Sequence, residues 1–218
     1  MMVSANAEHY LKAIHELDRE GQPVALSALA KELSISLVSV NEMVKRLTRQ
    51  GMATYQPYKG VTLTPTGRSQ ALAVTRRHRL WERFLTDFLG LSWDQVHQEA
   101  CGLEHATSPL VEERLAQFLG WPETCPHGHP VPNHEGKITH IATRPLSTLE
   151  PGQVGTVQSV SEGAELLQYL DSLGLTPGVE VQVEAAAPLD GPLTIRVGGD
   201  QHILGYKVAS QIQVLSRS

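Results

Sequence analysis

Cysteine is scarce. The 218 residues hold only Cys101 and Cys125, too few for a disulfide framework, so each thiol is expected to be a buried apolar group or a metal ligand. Long apolar runs are missing too. Stretches such as Ala71 to Val74 fall far short of the about 20 residues a membrane span needs. The acidic, His-containing N-terminus has no signal-peptide core, so a cytoplasmic protein without membrane partners is expected. There is no block of like charge and no low-complexity run, which excludes a disordered tail or linker as the main body. What is present, 41% apolar and 19% charged residues, describes a chain that buries a core. The length predicts two to three compact units, which argues against one large enzyme core.

The net charge of -5 is unevenly spread. Residues 1–75 hold 8 Lys and Arg against 6 Asp and Glu, a balance of +2, whereas residues 76–218 hold 10 against 17, a balance of -7. From Met43 to Trp81 there are eight basic residues (Lys45, Arg46, Arg49, Lys59, Arg68, Arg76, Arg77, Arg79) and no acid. That is the footprint of a site for a polyanion; the plainer reading is a solvated helical face.

Periodicity distinguishes the two. Ala7, Tyr10, Leu11, Ile14 and Leu17 form the apolar stripe of a helix predicted over Ala5 to Glu20. A short helix over Leu26 to Leu33, with Ser27 as N-cap, and a second over Leu37 to Arg49, capped by Ser36 and stopped at Gly51, make a helix-turn-helix pattern. Met52 to Thr64 reads as two short strands around a basic, Pro/Gly-containing turn. A hairpin directly after a recognition helix makes a winged helix rather than an ordinary helical hairpin. Ser36, Ser39 and Glu42 are then placed to meet base edges, and Lys45, Arg49, Tyr58 and Lys59 to meet phosphates. Three further helices are predicted over Pro65 to about Leu89, Trp93 to His105 and Pro109 to Leu119. A Pro-, Gly- and His-rich loop follows, Trp121 to Lys137. Beyond Ala142 to Ser147, short strands (Val154 to Val160, Val179 to Glu184, Leu193 to Val197, Ile212 to Ser216) are interrupted by one helix, Gly163 to Leu173. They predict a small barrel.

The chemistry is concentrated on two helices. On a wheel of about 100° per residue, His97, Cys101, Glu104 and His105 share one face, and His78 and Glu82 are spaced one turn apart on the preceding helix. Two ligands at i and i+4 reach one ion, so these residues read as metal platforms. The competing reading is a polar network at a helical dimer interface.

The run Arg77-His78-Arg79-Leu80-Trp81-Glu82-Arg83-Phe84-Leu85, followed by Val96-His97-Gln98-Glu99-Ala100-Cys101-Gly102-Leu103-Glu104-His105, closely resembles the diphtheria toxin repressor family of iron- and manganese-dependent transcriptional repressors. So do Tyr10-Leu11-Lys12-Ala13-Ile14, Leu63-Thr64-Pro65-Thr66-Gly67-Arg68 and Cys125-Pro126-His127-Gly128. The resemblance runs in order along the whole chain. It implies a mainly α fold with a small β component: a winged helix-turn-helix over 1–72, a helical metal-binding and dimerisation domain over 73–145, and an SH3-like (FeoA-like) barrel over 146–218.

The resemblance also implies two metal sites per chain. The ancillary one maps to His78, Glu82 and His97, with Glu162 and Glu165 from the C-terminal domain. The primary one maps to Cys101, Glu104 and His105 with position 9, which is His9 here where iron-type members commonly have Met and manganese-type members Asp. Cys101 is the iron-type choice, since a thiolate is softer than a carboxylate. The ion is therefore expected to be Mn2+ or Fe2+, with other divalent transition metals substituting in vitro. Cys125, His127 and His129 have the donor types of a zinc site, but the resemblance assigns that loop no metal. The chain is expected to be a non-enzymatic, metal-dependent repressor in metal homeostasis that binds a double-stranded DNA operator as a homodimer. Two other classes compete. A metallohydrolase using the helical His/Glu cluster is disfavoured by the absence of H-E-x-x-H, and a winged-helix regulator sensing an organic ligand is separable by chelation.

Overall fold

The computed structural model describes residues 4–18, 21–139 and 141–216. Its contacts divide the chain into two compact units. One holds the chain up to Arg77 with Glu104–Thr107 and Pro132–Lys137; the other holds His78–Leu103, Ser108–Val131 and the chain from Ile138 onward.

In the first unit, helix α1 (Ala5–Leu17) starts at Ser4, whose hydroxyl accepts from the Ala7 N–H, and buries Ala7, Tyr10, Leu11, Ala13 and Ile14. It ends before the expected Glu20 because Asp18 turns extended and its carboxylate accepts the Gly21 N–H at 2.8 Å; Arg19 and Glu20 lie outside the described residues. Helix α2 (Leu26–Glu32) begins at Ala25 without a side-chain cap, so the expected Ser27 cap is corrected: Ser27 already lies inside the first turn. Helix α3 (Leu37–Arg49) is capped by Ser36 and buries Val40, Met43, Val44 and Leu47. Strands β1 (Ala53–Gln56) and β2 (Gly60–Leu63) pair antiparallel as the wing. Gly60, at a φ of 128°, lets the wing close against the backbone: a Cβ there would lie 2.3 Å from the Val24 carbonyl oxygen. These elements share one core of about a dozen buried side chains centred on Leu11, Ile14, Leu29, Leu47 and Val61.

Helix α4 (Pro65–Asp87) carries the run Arg77 to Glu82. Helix α5 (Val96–Glu104) starts three residues later than expected and ends one residue earlier, because Ser92 to Gln95 form a turn. Helix α6 (Pro109–Phe118) is capped by Ser108. The C-terminal six-stranded sheet has the order β3-β8-β4-β5-β6-β7, with β3 (Arg144–Pro145), β4 (Val154–Val160), β5 (Glu180–Ala186), β6 (Leu193–Val197), β7 (Asp200–Leu204) and β8 (Ile212–Ser216). Helices α7 (Ala164–Ser172) and α8 (Tyr206–Ala209) interrupt it. Its core (Leu146, Leu170, Leu175, Val183, Ile195, Leu204 and neighbours) is fully apolar. Strand β7 was not expected: its residues read as a Gly-Gly-Asp turn running into polar sequence, because an edge strand buries almost only Leu204.

Candidate metal centre and nucleic-acid interface

Within the first unit, His9, Glu104 and His105 converge, their ligand atoms within 4.8 Å of one another. His9 Nδ1 lies 3.4 Å from His105 Nε2, and Glu104 Oε1 lies 3.2 Å from the same nitrogen. The other His105 nitrogen, Nδ1, is 2.7 Å from Glu8 Oε2, which fixes the ring so that Nε2 faces the cluster. Glu8 is itself held by Arg77 at 2.9 Å, and the same guanidinium donates to the Glu104 carbonyl at 2.7 Å. Glu104 is fully buried.

In the second unit a larger cluster forms around Glu82, which is also fully buried. Its Oε1 lies 3.0 Å from His78 Nε2, 3.3 Å from His127 Nδ1 and 3.6 Å from His97 Nδ1. Its Oε2 is buried with no hydrogen-bond partner, at a cost of about 1–3 kcal/mol for an unsatisfied buried polar atom. Burial pushes the Glu82 carboxyl up, but the bonds from His127, His78 and His97 outweigh it and hold the group well below the usual carboxylate range.

Glu162, just after β4, reaches this cluster from the barrel, with Oε2 2.7 Å from His97 Nδ1. Against the opposing effect of burial, His97 brings it down to about 2. Cys101, Glu162 and Glu82 together push His97 up. Two overlapping donor sets result, His78–Glu82–His97–Glu162 and Glu82–Cys125–His127–Glu162.

In the sequence, Cys125 and His127 read as zinc-type donors only together with His129, and their grouping with Glu82 and Glu162 comes from the fold. The Cys125-Pro126-His127-Gly128 turn closes on a bond from the Gly128 N–H to the Cys125 carbonyl at 2.9 Å. Gly128 has a φ of 84°, and a Cβ there would lie 1.9 Å from the Gln158 carbonyl oxygen, so only glycine permits the turn to sit against β4. His127 Nε2 is 2.6 Å from the Trp93 carbonyl, which aims Nδ1 at Glu82. Burial and the nearby Glu82 and Glu162 charges push the Cys125 thiol well up, so in the metal-free state it keeps its proton. Burial pushes His127 down, but bonds from Glu82 leave it raised on balance; burial lowers His129.

Of the expected ligands, Cys101 is grouped with His78 and His97, its Sγ 3.7 Å from His97 Nε2. Glu165 enters no ligand group among the described residues and is exposed. The donor chemistry fits a divalent transition ion. An orphaned buried carboxylate oxygen among imidazoles and a thiol is what such an ion would satisfy.

The expected DNA-facing residues Ser36, Ser39, Glu42, Lys45, Arg49, Tyr58 and Lys59 are all exposed. All but Ser36 line two clefts of about 520 Å³ each beside α3. One, toward the wing, is lined by Leu37, Val38, Asn41, Tyr55, Tyr58 and Lys59, and the other by Ser39, Glu42, Lys45, Arg46 and Arg49. Leu37 and Val38, 53% and 69% exposed at the first turn of the recognition helix, were not singled out in the sequence; the signal was an apolar pair outside the buried stripe. Leu110, Phe118, Phe88, Leu89 and Trp121 leave an exposed apolar face in the second unit, with the Phe88 and Phe118 rings 4.7 Å apart.

Three family models match the chain: the iron dependent repressor N-terminal DNA binding domain over 2–61, the iron dependent repressor metal binding and dimerisation domain over 64–133, and the FeoA domain over 144–215. The iron-dependent repressor IdeR of Mycobacterium leprae is 32% identical over 220 residues, with 95% of each chain covered. The diphtheria toxin repressor of Corynebacterium diphtheriae is 34% identical over 219 residues, again with 95% of each covered. Among solved structures, a manganese-dependent transcriptional repressor in complex with manganese superposes with a TM-score of 0.90 at 34% identity, covering 97% of this chain and all of that one. ScaR with bound Cd2+ gives 0.85 at 29% identity, with 97% of this chain and all of that one covered. No helix among the described residues is long and apolar enough to cross a membrane. The DNA-binding, metal-binding and FeoA domains follow one another here as the three models do, and the chain belongs to the diphtheria toxin repressor family of metal-dependent transcriptional repressors.

Proposed function

We propose that this chain is a homodimeric repressor that binds operator DNA when Mn2+ or Fe2+ fills its histidine-carboxylate clusters, and that it acts in the cytoplasm. The observation that carries the reading is the convergence of His9, on α1 of the winged helix, with Glu104 and His105. His9 and the adjacent pair Glu104 and His105, more than ninety residues apart in sequence, meet in the same unit as the DNA-reading helix. A bound divalent ion supplies the positive charge that the converging imidazoles and carboxylate coordinate. His9 anchors α1, Glu8 and Arg77 hold His105 and Glu104 in place, and DNA affinity rises insofar as the DNA-competent arrangement presents these donors better.

The second cluster is proposed as the ancillary site, with His78, Glu82, His97 and Glu162 on one side and Cys125 and His127 on the other. Glu82 and Glu162 belong to both donor sets, an arrangement with room for adjacent ions. Cys101 is proposed as a ligand whose partner set its own variant decides, and Glu165 as a solvated carboxylate. The exposed apolar face around Phe88, Leu110 and Phe118 is the proposed dimer contact, since such a patch on a small protein marks an association surface.

The test is DNA retention by the full chain with and without chelator, alongside sedimentation of wild type and Phe118→Glu. Metal-independent DNA binding favours the organic-ligand regulator. A Phe118→Glu chain that still sediments as a dimer moves the dimer contact elsewhere.

A further inference from the structure

Beside the His9–Glu104–His105 cluster stands a cation that the ligand assignment does not use. Lys12 follows His9 by three residues on α1, so both side chains leave the helix on the same side. A lysine on that side would ordinarily reach for solvent. Lys12 instead stays buried, its side chain 8% exposed, with Nζ 3.2 Å from Glu104 Oε2, a carboxylate that is itself 0% exposed. The two oxygens of Glu104 are thereby divided. Oε2 belongs to Lys12, while Oε1 lies 3.2 Å from His105 Nε2 among the donors that converge.

We propose that Lys12 is a built-in cation of this cluster: its ammonium retains Glu104 Oε2, so that Glu104 offers Oε1 alone to a divalent ion, and its charge raises the ion concentration needed to fill the site. The proposal rests on the reading of His9, Glu104 and His105 as metal ligands. Two consequences follow from charge and geometry. Without metal, Glu104 is not a bare buried carboxylate, so the metal-free chain keeps its fold and stays available for a reversible switch. With metal, an ammonium one carboxylate's width from a divalent ion opposes it, which even at the permittivity of bulk water amounts to about tenfold or more in Kd. A repressor that must release its ion when the metal is scarce gains from such a setting.

The experiment titrates the metal-free full chain with Mn2+, reading free Mn2+ by electron paramagnetic resonance, and records melting in chelator. Wild type, Lys12→Met, Lys12→Gln, Lys12→Arg and Glu104→Gln are compared. Lys12→Met should tighten one site by about tenfold, lower the melting temperature in chelator and enlarge the rise that Mn2+ produces. Lys12→Arg, which retains the charge, should behave as wild type. If Lys12→Met melts too low to titrate, Lys12→Gln, whose amide still bonds Oε2 without charge, carries the comparison.

An Mn2+ affinity within about twofold of wild type in the neutral variant, or the same tightening in Lys12→Arg, overturns the proposal. Glu104→Gln separates the two levels. If it binds as many ions as wild type, the cluster is not a metal site and the underlying reading falls. If it loses one ion while the neutral Lys12 variant leaves the affinity unchanged, only the role of Lys12 falls.

Discussion

His97 Nδ1 and Glu162 Oε2 lie 2.7 Å apart, joining helix α5 to the segment between β4 and α7 of the barrel. On the proposed reading, the contact makes the barrel a contributor of ligands rather than an appendage. Glu162→Ala should therefore weaken Mn2+ binding at the ancillary cluster while leaving the His9–Glu104–His105 cluster loaded. Cys125→Ser should lower thiolate-to-cobalt absorption of the Co2+-substituted protein, leaving only what Cys101 contributes. Ion counts and spectra check both, and a Glu162→Ala chain with wild-type ancillary affinity would remove the barrel from the site.

Glu8 touches no ion in this scheme, yet it fixes the His105 ring through a 2.7 Å bond. Loss of a carboxylate that orients a ligating imidazole typically costs about 10- to 100-fold in metal affinity. Glu8→Gln should show a loss of that order at one site, measured by competition with a chromophoric chelator, with little change in the ancillary cluster.

The clusters give metal-free and metal-loaded protein opposite pH responses. His97 and His127 are raised in the folded state, so their stabilisation is full below the ordinary imidazole value of 6.5 and declines as pH rises above it. Glu82 and Glu162 are lowered, so theirs is present above 4.5 and lost as pH falls toward about 2. Chelated protein should therefore lose stability from pH 6 to 8, within that declining range. The loaded protein should gain, because coordination requires deprotonated ligands. Denaturant midpoints with chelator and with Mn2+ give the two slopes.

Much of this was legible in the sequence because it rests on local rules. Ser36 caps α3 where a serine before an apolar stripe should, and the His78/Glu82 pair follows from helical spacing alone. What was not legible depends on residues brought together from afar. Cys125 and His127 gain meaning only beside Glu82 and Glu162, which lie about forty residues to either side. Lys12 carries no signal of its own in the sequence; its burial against Glu104 comes only with the fold. Ser27 looked like a cap, but the helix starts one residue before it. Strand β7 lacks alternation because most of it faces solvent.

On the DNA face, Lys45→Ala and Arg49→Ala should weaken specific and random duplexes alike, each flattening the slope of log K against log salt by about 0.9 if one phosphate contact is lost. Val38 presents methyl groups at the first turn of α3. Val38→Ser should shift preference at a thymine position through the lost methyl contact and leave the salt slope unchanged. Binding to a randomised duplex pool at several salt concentrations reads both effects.

If metal at His9, Glu104 and His105 controls DNA binding, a single titration shows it. Duplexes selected by the Mn2+-loaded wild type are titrated with wild type and Glu104→Gln, in chelator and in Mn2+ or anaerobic Fe2+. Wild type should bind only with metal, and Glu104→Gln should stay in the weak, nonspecific state under every condition while retaining its fold. Equal DNA affinity for wild type in chelator and in metal, or a Glu104→Gln chain that responds to metal as wild type does, would contradict that control.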